Sequence, residues 1–311
     1  MTPGYEALRH GTALVDLSTR SRFRVTGRDR ARLLHNVTTN DIKKLTPGDG
    51  CYAFLLTPQG RIQADLTLFC FPDYFLIDTE PELRETLPRL ILKYKVADQV
   101  EVEDITGETC SIGVEGPGAA QALAANAIPT PAKPYAHQPW GECTVANISV
   151  TGQPGFRIFG SRSFDPPSLG PRVVPATADD VRRVRIENGR PRFGEDLREN
   201  SLPQETQQMH AVSFQKGCYI GQEIVERIRA QGHVNKKLVR LVIETSTVPP
   251  PGTKLTAEGK EVGEIVSAVS SPPSQVAAIA YLRVPHTEPG TVLDANGIPA
   301  RVESAESGKP N

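Results

Sequence analysis

The chain has 311 residues, 35 of them basic and 36 acidic, and a formal net charge of -1. That length admits two or three domains with a sizeable core, while the charge balance argues against a broad electrostatic footprint for nucleic acid and makes direct binding to it doubtful. No apolar run approaches the ~20 residues of a membrane span, and Met1-Thr2-Pro3-Gly4-Tyr5-Glu6 has neither the basic nor the apolar part of a secretory signal, so a cytoplasmic chain without membrane association is expected.

In chain order, Ser21-Arg22-Phe23-Arg24-Val25-Thr26 alternates polar and apolar residues as a half-buried strand does. Arg28-Asp29 opens a helix running through Leu33 and Leu34, and polar Thr38-Thr39-Asn40-Asp41 is turn-prone. Residues 51–78 predict a long hairpin, with arms 51–56 and 62–71 around Thr57-Pro58-Gln59-Gly60, and a further strand from Tyr74 to Asp78. Thr79 and Glu82 have capping-box spacing ahead of a helix with Leu83, Leu87, Leu90, Ile91 and Tyr94 on one face, kinked or divided by Pro88. Residues 98–114 predict a strand pair, Gly116-Pro117-Gly118 starts an alanine-rich helix to about 127, and strands follow near 143–150 and 155–159. The proline-rich stretch 165–175 reads as a loop, and a helix over 178–188 stops at Gly189. After about 235, short β-like runs between Leu238 and Ala295 alternate with turns such as Ser271-Pro272-Pro273 and Asn296-Gly297, which predicts a small barrel or sandwich. The domain reading is a mixed region over 1–235, with parts about 1–115 and 116–235 intermingled, a β-barrel over 236–303, and a frayed tail over 304–311.

The five cysteines, Cys51, Cys70, Cys110, Cys143 and Cys218, are odd in number and widely spaced, with no Cys-x-x-Cys. Neither a disulfide framework nor a redox dithiol is written in them. No His, Cys or carboxylate group has metal-ligand spacing, so no metal is expected. Two segments carry chemistry. Residues 216–223 read Lys-Gly-Cys-Tyr-Ile-Gly-Gln-Glu, followed by apolar residues at the helical positions 224, 225 and 228. Gly217 and Gly221 allow a tight turn or a close approach. Cys218 therefore stands where a helix N-terminus and the Lys216 ammonium both favour the nucleophilic thiolate. The other segment is Arg185-Ile186-Glu187-Asn188-Gly189. Glu187 falls in the last turn of its helix, where the dipole disfavours a carboxylate. It needs a partner: Arg185 on one reading, or on another a ligand edge with two adjacent N–H donors, such as that of a pterin.

With these two segments and Leu33 to Ile42, which contains Val37-Thr38-Thr39-Asn40-Asp41, the chain resembles the YgfZ family of folate-binding proteins, relatives of the glycine-cleavage T-protein, an aminomethyltransferase. Arg185-x-Glu187-x-Gly189, followed by Gly194-x-Asp196 and Pro203, resembles the family's folate signature, and 216–223 matches a hallmark that the T-protein proper lacks. The resemblance covers nearly the whole chain. It implies an α+β fold, a three-part ring of two mixed α/β units plus a C-terminal small β-barrel around a central channel. It implies tetrahydrofolate, a reduced folate, as the cofactor, gripped by Glu187 with Arg185, Asn40 and Asp41 beside it. Cys218 is marked as essential, in a loop shaped by Gly217, Tyr219, Gly221, Gln222 and Glu223. The implied work is assembly or repair of iron–sulfur enzymes, including those that thiolate tRNA, so any effect on tRNA modification is indirect.

The T-protein uses an aspartate of an Asp-Asp pair, just after a Gly-Gly turn, to assist one-carbon transfer. The matching stretch, Gly60-Arg61-Ile62-Gln63-Ala64-Asp65-Leu66, keeps Asp65 and has Ala64 in the other place. If the chemistry needs the second carboxylate, Asp65 supplies it; if it needs the first, aminomethyl transfer is lost. Three functions stand open: a folate-binding factor for iron–sulfur client enzymes, with Cys218 and Lys216 as its catalytic residues; a folate-dependent aminomethyl or demethylating transferase using Asp65; and a scaffold without folate.

Overall fold

A computed structural model describes residues 1–304 except 167, 233, 272 and 273. The tail from 305 onward and the prolines of the 271–273 turn therefore lie outside the described residues. The elements run α1 (Pro3–His10), β1 (Thr12–Asp16), β2 (Ser21–Thr26), α2 (Arg30–Val37), β3 (Gly50–Leu56), β4 (Ile62–Cys70) and β5 (Phe75–Thr79). Next come α3 (Thr86–Leu92), β6 (Glu101–Asp104), β7 (Thr109–Glu115), α4 (Ala119–Ala124), β8 (His137–Trp140), β9 (Cys143–Ala146), β10 (Gly155–Ser161) and β11 (Val173–Ala176). Helices α5 (Ala178–Glu187), α6 (Pro203–Thr206) and α7 (Gln222–Gln231) precede the strands β12 (Lys236–Ile243), β13 (Lys254–Ala257), β14 (Lys260–Ser271), β15 (Gln275–Arg283), β16 (Val292–Ala295) and β17 (Ile298–Glu303).

The strands make three bodies: a five-stranded sheet ordered β3-β4-β5-β2-β6, a six-stranded sheet ordered β11-β1-β7-β10-β9-β8, and a closed barrel ordered β12-β15-β14-β13-β16-β17. This is the α+β architecture of two mixed units and a small barrel. The chain enters the second sheet with β1, leaves for the first with β2 to β6, and returns with β7. The expected pair over 98–114 is therefore a pair only along the chain. β6 bonds to β2, whereas β7 lies between β1 and β10 in the other sheet. Local pattern can locate a strand but does not choose its neighbour.

Strand β4 positions the site described below. Ala64, Leu66 and Leu68 join the main apolar core, and Asp65 and Thr67 face the opposite side, as the two-residue period requires. That core also takes Ile186 of α5, Val225 of α7 and Leu238, Val266 and Ile279 of the barrel wall, so the barrel is packed onto the first sheet. The barrel interior is a separate apolar cluster around Leu241, Ile265 and Leu282. Its last hairpin turns on Asn296 (φ 57°) and Gly297 (φ 87°), the left-handed pair that a two-residue turn requires.

Several local expectations are corrected. Thr79 does not cap a helix: it ends β5, and its hydroxyl donates to the Asp65 carbonyl at 2.6 Å. The apolar stripe after it divides ahead of Pro88, with a short 3-10 turn over Pro81–Leu83 and then α3 from Thr86. Pro88 falls in the first turn of α3, where its missing N–H has no intrahelical acceptor, so it causes no break. The proline-rich loop contains β11, an edge strand parallel to β1 with Pro175 opposite Leu14. Helix α1 begins where Thr2 Oγ1 accepts from Tyr5 N–H at 3.1 Å and Pro3 occupies the first helical position. Among the described residues no helix is long and apolar enough to cross a membrane.

Candidate functional site

A cavity of about 510 Å³ lies where β1, β4, β10 and α5 meet, and Asp65 lines it. Asp65 is 7% exposed. Its Oδ2 accepts from the Tyr52 hydroxyl at 2.7 Å, while Oδ1 is buried and has no partner among the described residues. Burial, with the nearby Glu80 carboxylate, pushes its pKa up to about 6. An oxygen without a donor at this depth is costly unless something supplies one. The position matching the other carboxylate of the T-protein pair is Ala64, which points into the core. The alanine thus removes nothing from the cavity.

Aromatic rings form the wall beside Asp65. Tyr52 and His210 stack with centroids 5.4 Å apart and planes 26° apart, and both line the cavity. Burial, helped by the Arg190 guanidinium, pushes the His210 pKa down to about 4, so the imidazole is neutral near pH 7. Tyr135 extends the stack behind His210 at 6.4 Å. Charged residues line the same cavity, among them Arg20, Glu80, Arg157 and Arg192. Asp78, fully buried, accepts from Arg20 Nε at 2.7 Å and from Arg157 Nη1 at 2.6 Å. Burial opposes its ionisation, but Arg157 and Arg20 outweigh burial and hold its pKa below the ordinary value. Glu80 bridges Arg20 and Arg192.

The residues singled out from the sequence divide into three places. Asn40 supports the cavity wall: its Nδ2 donates to the Tyr52 carbonyl at 2.9 Å and to the His210 carbonyl at 3.0 Å, so one amide joins the backbones of both stacked rings. Asp41 does not line the cavity and pairs with His35 at 3.3 Å and Lys44 at 3.2 Å. Arg185 lines the cavity, but its guanidinium is held by Glu195 at 2.5 Å, by Asp196 and by the Arg190 carbonyl at 2.7 Å. Asp196 in turn accepts from Ser267 of the barrel and from Arg192 N–H at 2.9 Å.

Glu187 is not among the residues lining the cavity. Its oxygens accept from the Tyr5 hydroxyl at 3.1 Å and the Ser271 hydroxyl at 2.9 Å, with Arg9 at 3.8 Å. The protein partner is thus Tyr5, Ser271 and Arg9, and not Arg185, whose guanidinium is occupied elsewhere. Nothing local foretold this: Tyr5 is 182 residues away in the chain.

The third place is the loop of residues 213–221. Cys218 is exposed, and the other four cysteines are buried. Lys216, by contrast, is buried, and its ammonium donates to the carbonyls of His35, Thr38 (2.7 Å) and Asn40 (2.7 Å) at the end of α2. Burial pushes its pKa down to about 8. The expected task of Lys216, to stand beside the thiol, is replaced by one of anchoring the loop. Tyr219 is buried beneath that ammonium, 5.0 Å from its ring centroid. Gly217 is open, but Gly221 (φ 82°) packs so closely that an added Cβ would lie 2.6 Å from the Thr57 carbonyl oxygen. Gln222 begins α7, and Glu223 pairs with Arg227 at 2.7 Å. Cys218 does not line the cavity. Tyr52, His210, Arg157 and Glu80 escaped the sequence reading because each is ordinary in its own segment and only the fold collects them.

Comparison with known proteins agrees with this fold. Residues 2–162 match the GCVT N-terminal domain, and residues 235–307 match the CAF17 C-terminal β-barrel domain. A chloroplastic protein of Arabidopsis thaliana named as a transferase is 30% identical over 273 residues, which are 84% of this chain and 63% of the relative. The chain thus spans under two thirds of the length of that relative, which is named as chloroplastic and not, as expected for this chain, cytoplasmic. The aminomethyltransferase of Rubrobacter xylanophilus is 28% identical over 96% of this chain and 83% of its own. In structure, the glycine cleavage system aminomethyltransferase T of Bartonella henselae superposes with a TM-score of 0.86 at 21% identity, covering 97% of this chain and 87% of that one. The chain belongs to the T-protein-like family, in the YgfZ and CAF17 arrangement of a GCVT domain followed by a CAF17 β-barrel.

Proposed function

We propose that the cavity is a reduced-folate site and that Asp65 is the carboxylate its ligand meets. The observation that carries this is the buried, unpartnered Oδ1 of Asp65, a residue that lines a cavity with a stacked Tyr52–His210 wall. A reduced pteridine offers what these residues lack: N–H donors for the carboxylate and a flat ring for the aromatic wall. When bound, a reduced folate would supply nitrogen atoms that carry a one-carbon unit. The protein's part is to stack the ring, to place an ionised Asp65 beside an N–H or amine, and to exclude water. This supports the transferase reading, since the retained carboxylate is the one that faces the cavity. Calorimetric titration with tetrahydrofolate tests it. Asp65→Asn and Tyr52→Ala should each weaken binding about tenfold or more, near 1.4 kcal/mol. Absence of binding to the unaltered protein would sink the proposal. Glu187→Ala is a separate arm. A ligand can reach that carboxylate only by displacing Tyr5 or Ser271, so unchanged affinity assigns Glu187 to tying α1 and β14 to α5.

A second reading, service to iron–sulfur client enzymes through Cys218, is favoured by the exposure of that thiol on a loop anchored to the cavity wall. It predicts that Cys218→Ser leaves folate affinity within about twofold and stability within about 0.5 kcal/mol, as expected for an exposed side chain. Iron–sulfur enzyme activity in cells relying on the variant should nevertheless fall. Full activity in such cells would remove the thiol from the function.

A further inference from the structure

Arg157 has a use that the folate site leaves open. It sits on β10, is fully buried and lines the cavity. Its Nη1 donates to Asp78 Oδ1 at 2.6 Å, whereas Nε and Nη2 are buried without a partner among the described residues. Those two nitrogens form the edge of the guanidinium from which two parallel N–H bonds leave, the edge that matches the two oxygens of a carboxylate. Neighbouring acids do not fill it. Asp78 shares Oδ1 between Arg157 and Arg20, and its Oδ2 is also unpartnered, so Arg157 and Asp78 do not meet through the fork. Glu115, the other acid that acts on Arg157, accepts instead from Ser149 at 2.7 Å, from Val150 N–H at 2.8 Å and from Thr151. Two buried cationic N–H groups with no acceptor are an expensive arrangement unless a ligand completes it.

An acidic residue, Asp65, lines the same cavity as Arg157. Thr67 of β4 is paired with Asp78 of β5, and Asp65 lies two residues from Thr67 on the same face of the sheet. One cavity is thus lined by a residue with an unfilled cationic fork, Arg157 of the six-stranded sheet, and by one with an unfilled carboxylate oxygen, Asp65 of the five-stranded sheet.

We propose that the Nε–Nη2 edge of Arg157 is a carboxylate receptor in this cavity. Carboxylates come from two sources here: the glutamyl tail of the folate, on whose presence this part of the inference rests, or a separate small amino acid. With no pteridine at Asp65, its unpartnered oxygen favours the amino acid, whose amine would face it while its carboxylate occupies Arg157.

The test is calorimetry on the full chain with two pairs of probes, each differing by the carboxylate. One pair is N-methylglycine and dimethylamine, with and without saturating tetrahydrofolate; the other is tetrahydrofolate and a tetrahydropterin lacking the glutamyl tail. For the amino-acid source, the unaltered protein should bind N-methylglycine about tenfold or more tighter than dimethylamine. Arg157→Met should abolish that preference with tetrahydropterin binding unchanged, and Arg157→Lys, which keeps the charge without the fork, should restore only part of it. For the folate-tail source, Arg157→Met should weaken tetrahydrofolate but not tetrahydropterin. If removing the carboxylate alters neither affinity in the unaltered protein, the receptor assignment is wrong, whether or not the variants fold. A protein that binds neither pteridine refutes the folate reading, while the N-methylglycine pair still judges Arg157.

Discussion

Asp65→Asn separates the electrostatic claim about the cavity from every packing claim. The folded-state pKa of Asp65 is about 6, against an ordinary value of 3.8, with burial as the main cause. The folded chain therefore holds this proton to higher pH than the unfolded chain. Its stability contribution is present below the unfolded pKa and is lost as pH rises through the folded one. The full loss is about 3 kcal/mol, since each pKa unit is worth about 1.4 kcal/mol. Part of it has already occurred by about pH 4.5, so roughly 2 kcal/mol should be lost between there and about pH 7.5. An asparagine does not titrate. Whatever constant cost its amide incurs by burying an extra donor, the difference in unfolding free energy between variant and parent should move by about 2 kcal/mol in the variant's favour over that range. Urea unfolding at several pH values, followed by far-ultraviolet circular dichroism and Trp140 fluorescence, measures it. A difference that stays flat across the range means Asp65 is not the desolvated carboxylate described above, and the argument for a ligand donor at Oδ1 goes with it.

Asn40→Ala removes two bonds that hold the Tyr52 and His210 backbones together. It should cost about 2 kcal/mol and weaken tetrahydrofolate about tenfold, whereas Asp41→Ala, away from the cavity, should leave affinity nearly unchanged. Equal effects from the two would show that Asn40 does not position the rings. Lys216→Met strips the donor from three carbonyls. It should destabilise the chain by about 3 kcal/mol and speed alkylation of the thiol at 218 in the folded protein. Because the other cysteines are buried, the reagent reads that one site; an unchanged rate would show that Lys216 does not hold the loop. Gly221→Ala meets both a positive φ and a backbone oxygen 2.6 Å away and should cost about 2 kcal/mol or more, while Gly217→Ala enters open space and should cost under about 0.5 kcal/mol. Similar costs at both positions would contradict the packing of Gly221 on the β3–β4 turn.

What the amino-acid order determined by itself was local. Two-residue alternation marked β2, the turn Thr57-Pro58-Gln59-Gly60 between two β-like arms marked β3 and β4, an Asn-Gly pair marked the last barrel turn, Gly189 marked the end of α5, and the short strand-and-turn rhythm marked the C-terminal barrel. These are consequences of backbone sterics and of which face meets water, and both are set within a few residues. The motifs also carried the family, because the octapeptide at 216–223 and the Arg-x-Glu-x-Gly segment are sequence objects. The work of each motif residue was not local. Lys216 looked like a neighbour for the thiol and became an anchor on α2, because burial turned its ammonium toward three carbonyls. Glu187 looked as if it wanted a ligand and was met by Tyr5 and Ser271 from opposite ends of the chain. Asp65 was one carboxylate of a half-kept pair until β4 placed it, and not Ala64, on the cavity side. Desolvation, stacking and an arginine edge left without an acceptor depend on what the rest of the chain packs over a residue. They exist only after β4, β10 and α5 come together, so no window of sequence contains them.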